Sequence, residues 1–190
     1  MFSPNDTIVA VATPPGRGGL GVVRLSGPAA AAIAGVLISR TTPLRPRHAV
    51  VTKILDQATA TPTAVDQVVV TAFPGPASYT GDDVVEISAH GSPVLLDRIV
   101  ALACDAGARL AEPGEFTLRA YLNGRLNLVQ AEAVADLIEA VTPLQARVAF
   151  DQLEGTVTAE IQGIDRKLFD LIARMEASLD FPEEGYHFVS

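Results

Sequence analysis

The chain has 190 residues, 48% hydrophobic and 19% charged, with 14 Lys+Arg against 22 Asp+Glu for a net charge of −8. This is a globular composition, long enough to bury roughly 70% of the unfolded surface. It argues against a free-standing nucleic-acid or membrane-surface binder, which needs a basic footprint for phosphate contacts. A single cysteine, Cys104, excludes an internal disulfide and a multi-cysteine metal site. A lone thiol fits a reducing, cytoplasmic setting. The start, MFSPNDT, lacks the basic n-region of a signal peptide, and the longest apolar run, 29–38, is about half a membrane span.

From the N-terminus, Thr7 to Thr13 is β-branched and apolar and predicts a strand. Pro14 to Gly19 is a loop by its proline and glycine content. Gly21 to Ser26 predicts a second strand with Arg24 in its middle, and Pro28 to Ile38 a helix with proline in its first turn. Strands are expected at Ala49–Leu55, Gln67–Phe73 and Asp83–Ala89, then an apolar helix from Pro93 to Ala106 closed by Gly107, and a short strand around Arg109. This irregular interleaving indicates an α+β fold rather than a doubly wound sheet.

Near Arg125 the character changes. Residues 1–125 hold ten basic and ten acidic residues and eleven of the thirteen prolines; residues 126–190 hold four basic and twelve acidic. Leu128, Ala131, Val134, Ala135 and Ile138 keep helical spacing, and so do apolar residues from Leu144 to Leu179. The second stretch is one long helix or two stacked ones, weakened at Gly155 and Gly163 and stopped by Pro182. Its apolar stripe needs a cover, so an incomplete helical bundle is expected.

Gly16 to Gly21 matches GxGxxG in form, but a dinucleotide fingerprint opens a helix and carries an acidic residue about 20 positions on. Here a strand follows, and positions 41–43 are Thr-Thr-Pro. The segment reads as a turn between strands, able to present backbone amides to an anion or carbonyl. No GxxxxGK[ST] occurs. His48, His90 and His187 lack metal-ligand spacing, and Cys104 reads as buried and inert. Arg24 and Glu86 sit inside apolar strands, where a charge is costly unless paired. Alternation places them on solvent faces or in a cleft. In a cleft, a carboxylate accepts two parallel N–H bonds from a 2-amino-pyrimidinone edge, and an arginine fork grips a carboxylate.

Four segments together resemble the MnmE (TrmE) family of tRNA-modification GTPases: DTIVAVATPPGRGGLGVVRLSG (Asp6–Gly27), FPGPASYTGDDVVEISAHGSPVLL (Phe73–Leu96), PGEFTLRAYLNGRLNLVQAEAVADLI (Pro113–Ile138) and MEASLDFPEE (Met175–Glu184). The resemblance implies that residues 1–120 form an N-terminal folate-binding, dimerising α+β domain similar to folate-dependent aminomethyltransferases. Residues 121–190 would begin the helical domain. It implies a tetrahydrofolate ligand, 5-formyl or 5,10-methylene. The family's folate-contacting arginine falls on Arg24, its glutamate on Glu86 and its lysine on Arg125, here an arginine. The loop at Gly18 and Gly19 is expected to help shape the pocket. No catalytic residue and no metal ligand are assigned. The family's GTP, Mg2+ and K+ sites belong to a G domain with no counterpart here, so this chain is not expected to hydrolyse GTP.

The resemblance also implies a cytoplasmic homodimer that works with the flavoprotein MnmG (GidA). Together they place an aminomethyl-type group on carbon 5 of the wobble uridine of tRNA. Because the last third is acidic, tRNA is expected to be held by the flavoprotein, and no membrane contact is expected. Two other readings stand beside this one. The first is an independent folate-dependent one-carbon transferase, with Asp82, Asp83 or Glu115 as its acid. The second is a dimerisation scaffold without ligand.

Overall fold

A computed structural model describes residues 5–57 and 61–180. The chain forms two compact units, Met1–Leu126 and Asn127–Ser190. The first is a mixed α/β unit built on a six-stranded sheet: β1 (Ile8–Val11), β2 (Gly18–Ser26), β3 (Val50–Asp56), β4 (Thr63–Phe73), β5 (Val84–Gly91) and β6 (Arg109–Leu110). Their order in space is β3-β4-β5-β2-β1-β6. All neighbours run antiparallel except β1 and β6, which are parallel.

The two faces of the sheet differ because side chains alternate along a strand. Val23 and Leu25, Ile54, Val68 and Val70, Val85 and Ile87 point to one face and are buried. There they meet α1 (Ala30–Leu37) and α2 (Pro93–Asp105), through Ile33, Leu37, Leu96 and Ile99. The alternate positions, Arg24, Glu86, Thr71 and Phe73, face the other way and are half-buried. Part of that second face is closed by α3 (Glu115–Leu122), a helix that the apolar pattern does not announce. The rest is open: Val51 and Val69, a cross-strand pair, are 64% and 37% exposed.

A charge cluster binds α3 to the sheet. Glu115 and Arg119, 1% and 2% exposed, sit one turn apart. Arg109 donates from Nη2 to Glu115 Oε1 (2.6 Å) and from Nε to Asp6 Oδ2 (2.6 Å). Arg119 donates to Glu115 Oε1 (3.0 Å) and the Asp6 carbonyl (2.7 Å), and pairs with the Asp6 carboxylate. Hydrogen bonding from Arg109 holds the Asp6 carboxyl below its ordinary value, against the opposing effect of burial. Burial raises Glu115, but bonds from Arg109, the Glu112 amide and Arg119 outweigh it and hold that carboxyl low as well. A charge this deep persists only when its lone pairs are satisfied.

The second unit is helical: α4 (Leu128–Glu139), α5 (Pro143–Leu153) and α6 (Thr156–Asp180). Asn127 and Thr142 each form a reciprocal capping box with the glutamine three residues on. The stretch after Pro143 is two helices rather than one. Gly155 lies at φ 87, a left-handed conformation that ends α5 and lets α6 begin. Gly163 stays within α6 and does not interrupt it. Pro182, expected as the stop, lies outside the described residues, as do the last four residues of MEASLDFPEE. Ala133 and Ala149 are buried here, whereas no residue of α6 is. Among the described residues no helix is long and apolar enough to cross a membrane.

Candidate functional site

Arg24 and Glu86 lie directly opposite each other on adjacent strands. Arg24 donates from both Nε (2.9 Å) and Nη2 (2.7 Å) to one oxygen, Glu86 Oε1. Its guanidinium is 5.2 Å from the Tyr79 ring centre and 5.7 Å from that of Phe116. Tyr79 is fixed in turn by a 2.9 Å hydroxyl contact to Thr117 on α3. An arginine inside an apolar strand is thus neutralised by one neighbour and stacked by two others. Glu86 Oε2 has no partner among the described residues, so half of the carboxylate is available to a ligand.

Glu86 lines a cleft of about 370 Å³ together with Val84 and Phe73 of the sheet. The 74–82 loop supplies Ala77, Ser78 and Tyr79, and Arg47 and Arg125 complete the wall. That loop is pinned from within and by its neighbours: Ser78 Oγ accepts from Gly81 N (3.0 Å), Thr80 Oγ1 meets Ser26 Oγ (2.6 Å), and Asp83 Oδ1 accepts from Gly75 N (2.9 Å). Arg125 donates from Nε to the Ser78 carbonyl (3.1 Å), and Asn123 Nδ2 to the Thr80 carbonyl (2.8 Å). This approach depends on Gly81 at φ 87, where an added Cβ would come within 2.9 Å of Asn123 Cβ and 3.3 Å of Arg125 Cγ.

Arg47 stands out by its backbone. It is a non-glycine residue at φ 59, a conformation that costs on the order of 1 kcal/mol or more. Its amide donates to the Ala72 carbonyl (2.8 Å), its Nη2 donates to the Ala77 carbonyl, and its guanidinium lies 5.9 Å over the Phe73 ring.

Of the residues singled out in the sequence, Arg24, Glu86 and Arg125 converge on this cleft or on the pair beside it. Arg24 is committed to Glu86, so it acts as the carboxylate's anchor more than as an independent anion receiver. Gly18 and Gly19 are not brought there. Gly18 pairs with Gly91, beyond a bulge at the far end of β2, six positions from Arg24 or about 20 Å along a strand. Neither glycine lines this cleft. Glu115 is closed into the arginine cluster, and Asp83 is engaged by Gly75.

Among the histidines, His90 pairs with Asp66 through Nδ1 (2.7 Å) and its own amide (2.9 Å). His48 Nδ1 contacts the Pro46 carbonyl (2.9 Å), and His187 lies outside the described residues. Cys104 is half-buried, and its thiol is pushed up by burial and by Asp105. Arg47, Phe73, Ser78 and Tyr79 were not singled out in the sequence: Phe73 ends β4, and the other three meet it through loops. A second cavity, about 310 Å³, lies beside α1 and the 40–46 loop, where Arg40 and Asp83 are its charged lining residues.

Comparison with known proteins assigns the chain. Residues 7–125 match the model of the GTP-binding protein TrmE N-terminus, and residues 128–190 match that of the MnmE helical domain. The chain is 52% identical over 183 residues to the tRNA modification GTPase MnmE of Koribacter versatilis, covering 95% of this chain and 40% of that protein. It is 48% identical over 185 residues to the protein of the same name from Nitrosomonas eutropha, covering 97% and 40%. With that of Laribacter hongkongensis it shares 50% over 179 residues, 94% and 39%. The chain therefore spans about two fifths of the length of the curated relatives it matches. It belongs to the MnmE family and corresponds to its N-terminal and helical domains.

Proposed function

We propose that, as part of a member of this family, the chain is the folate-holding and dimer-forming portion of a tRNA-modifying GTPase. The observation that carries the reading is the cleft. Glu86 offers an open carboxylate oxygen in a cleft that Phe73, Tyr79 and Arg125 also line. A volume of about 370 Å³ suits one small ligand. Aromatic faces suit a flat heterocycle, and a carboxylate suits the N–H edge of a pterin. A tetrahydrofolate, 5-formyl or 5,10-methylene, fits these residues and would supply the one-carbon unit when bound.

The chain's own residues do the positioning. Arg24 fixes Glu86, Glu86 orients the ring edge, and Arg125 offers its fork to carbonyl or carboxylate oxygens. The sheet-and-helix architecture is compatible with an aminomethyltransferase-like fold, and the open face around Val51 and Val69 is apolar surface that a second copy could cover. In this reading the cytoplasmic homodimer serves the flavoprotein MnmG, which holds the tRNA whose wobble uridine receives the aminomethyl-type group. The acidic charge of residues 126–190 supports that division of labour, and tight, salt-sensitive binding of tRNA to this chain in a gel shift would contradict it.

The test is isothermal titration with 5-formyltetrahydrofolate. Wild type is expected to bind, and Glu86→Gln to lose about tenfold or more while keeping its circular dichroism spectrum. Equal affinities would remove Glu86 from the site. Of the three acids open to an independent one-carbon transferase, Glu115 is locked between two arginines and Asp83 is engaged by the Gly75 amide, which leaves Asp82.

A further inference from the structure

The cleft holds more positive charge than its recognised residues account for. Arg24 is balanced by Glu86. Arg47 and Arg125 pair with no carboxylate among the described residues; each donates instead to a main-chain carbonyl of the same loop, Arg47 to Ala77 and Arg125 to Ser78. Those carbonyls are consecutive, and both side chains line the one cleft. Residues 1–125 are charge-balanced, and within them these two guanidiniums share one opening without a carboxylate of their own. An occupant with two negative charges would match both. Each fork keeps donors beyond the one it spends on the loop. Arg47 is held by a left-handed backbone, by Ala72 and by the face of Phe73, so its charge is stationed before any ligand arrives.

We propose that Arg47 is a specificity-determining residue which, with Arg125, clamps the dicarboxylate tail of the ligand, so that the cleft selects a glutamate-bearing pterin over the same ring without its tail. This rests on the folate reading above, in which Glu86 takes the ring edge and leaves the two tail carboxylates to be received. One planar fork per carboxylate matches the bidentate geometry that arginine provides and lysine does not.

The experiment titrates wild type, Arg47→Gln and Arg47→Gly with 5-formyltetrahydrofolate and with 5-formyl-6-methyltetrahydropterin, which lacks the whole aminobenzoyl-glutamate tail. Arg47→Gly keeps a residue at ease with φ 59, so it removes the charge without imposing strain on the turn. Wild type is expected to prefer the glutamate-bearing ligand. Both variants are expected to lose about tenfold to a hundredfold on that ligand, with little change on the tail-less one. The salt dependence of the glutamate-bearing ligand should flatten with them. Equal losses on both ligands, or none on either, would overturn the role of Arg47 while leaving the folate reading intact. Failure of wild type to bind either ligand would overturn both.

Discussion

The two units contain similar apolar side chains and use them differently. In the sheet unit, Ile54, Ile87 and Ile99 are fully buried. In the helical unit, Ile138, Ile164 and Phe169 are 79%, 63% and 76% exposed. The sheet closes its core by layering two helices on one face, whereas three helices in sequence bury little more than Ala133 and Ala149. A sheet has a broad face that two short helices can cover. A helix has only a stripe, which needs a facing stripe for every turn.

The sharpest way to break this contrast is to separate the units. Residues 1–126 alone are expected to give a cooperative thermal transition and a mixed α/β spectrum. Residues 127–190 alone are expected to be partly helical and to associate as concentration rises, read by circular dichroism and size-exclusion chromatography. A cooperatively folded, monomeric helical unit would overturn the contrast.

Within the sheet unit, the charge cluster should matter most. Glu115→Ala breaks the buried pair and leaves Arg109 and Arg119 to share Asp6 alone, and is expected to cost about 3–5 kcal/mol in urea unfolding. The same cluster sets a pH limit. Asp6 and Glu115 have lowered values in the fold, so their stabilisation is complete above the ordinary glutamate value of 4.5 and is lost as pH falls through the lower folded values. Urea midpoints measured from pH 6 down to pH 3 should fall less steeply in Glu115→Gln.

A matched pair of substitutions sharpens the comparison further. Ile54→Ala should cost about 2–5 kcal/mol and Ile164→Ala within about 0.5 kcal/mol, by the same denaturation assay. Arg24→Gln is small as well. With both partners partly exposed, its effect on stability is expected to stay below about 1 kcal/mol, although it frees Glu86.

The periodic elements were legible because burial on one face imposes a repeat. Strands β1 to β5 and helices α1, α2 and α4 all carry one. Helix α3 was not legible, since its buried positions, Glu115 and Arg119, look like surface residues until Asp6 and Arg109 arrive from distant sequence. The break at Gly155 was one of two open possibilities, and spacing alone could not choose between glycines 155 and 163. The facing of Arg24 and Glu86 needed β2 to lie beside β5, a neighbour relation 62 residues apart that no local pattern encodes. Arg125 was legible only through family resemblance, and Arg47 not at all.

The pairing of β1 with β6 has a consequence for how the chain is made. Arg109 N donates to the Thr7 carbonyl, and Asp6 is joined to Arg109 and Arg119 across 103 and 113 residues. At a synthesis rate of roughly 5–20 residues per second, Asp6 and β1 wait about 5–20 s for those partners. Throughout that interval the outer edge of β1 is unpaired, an open hydrogen-bonding margin on a nascent chain. The sheet unit is therefore completed late and non-locally, and its assembly on the ribosome should be governed by the emergence of α3 rather than by the hairpin formed first.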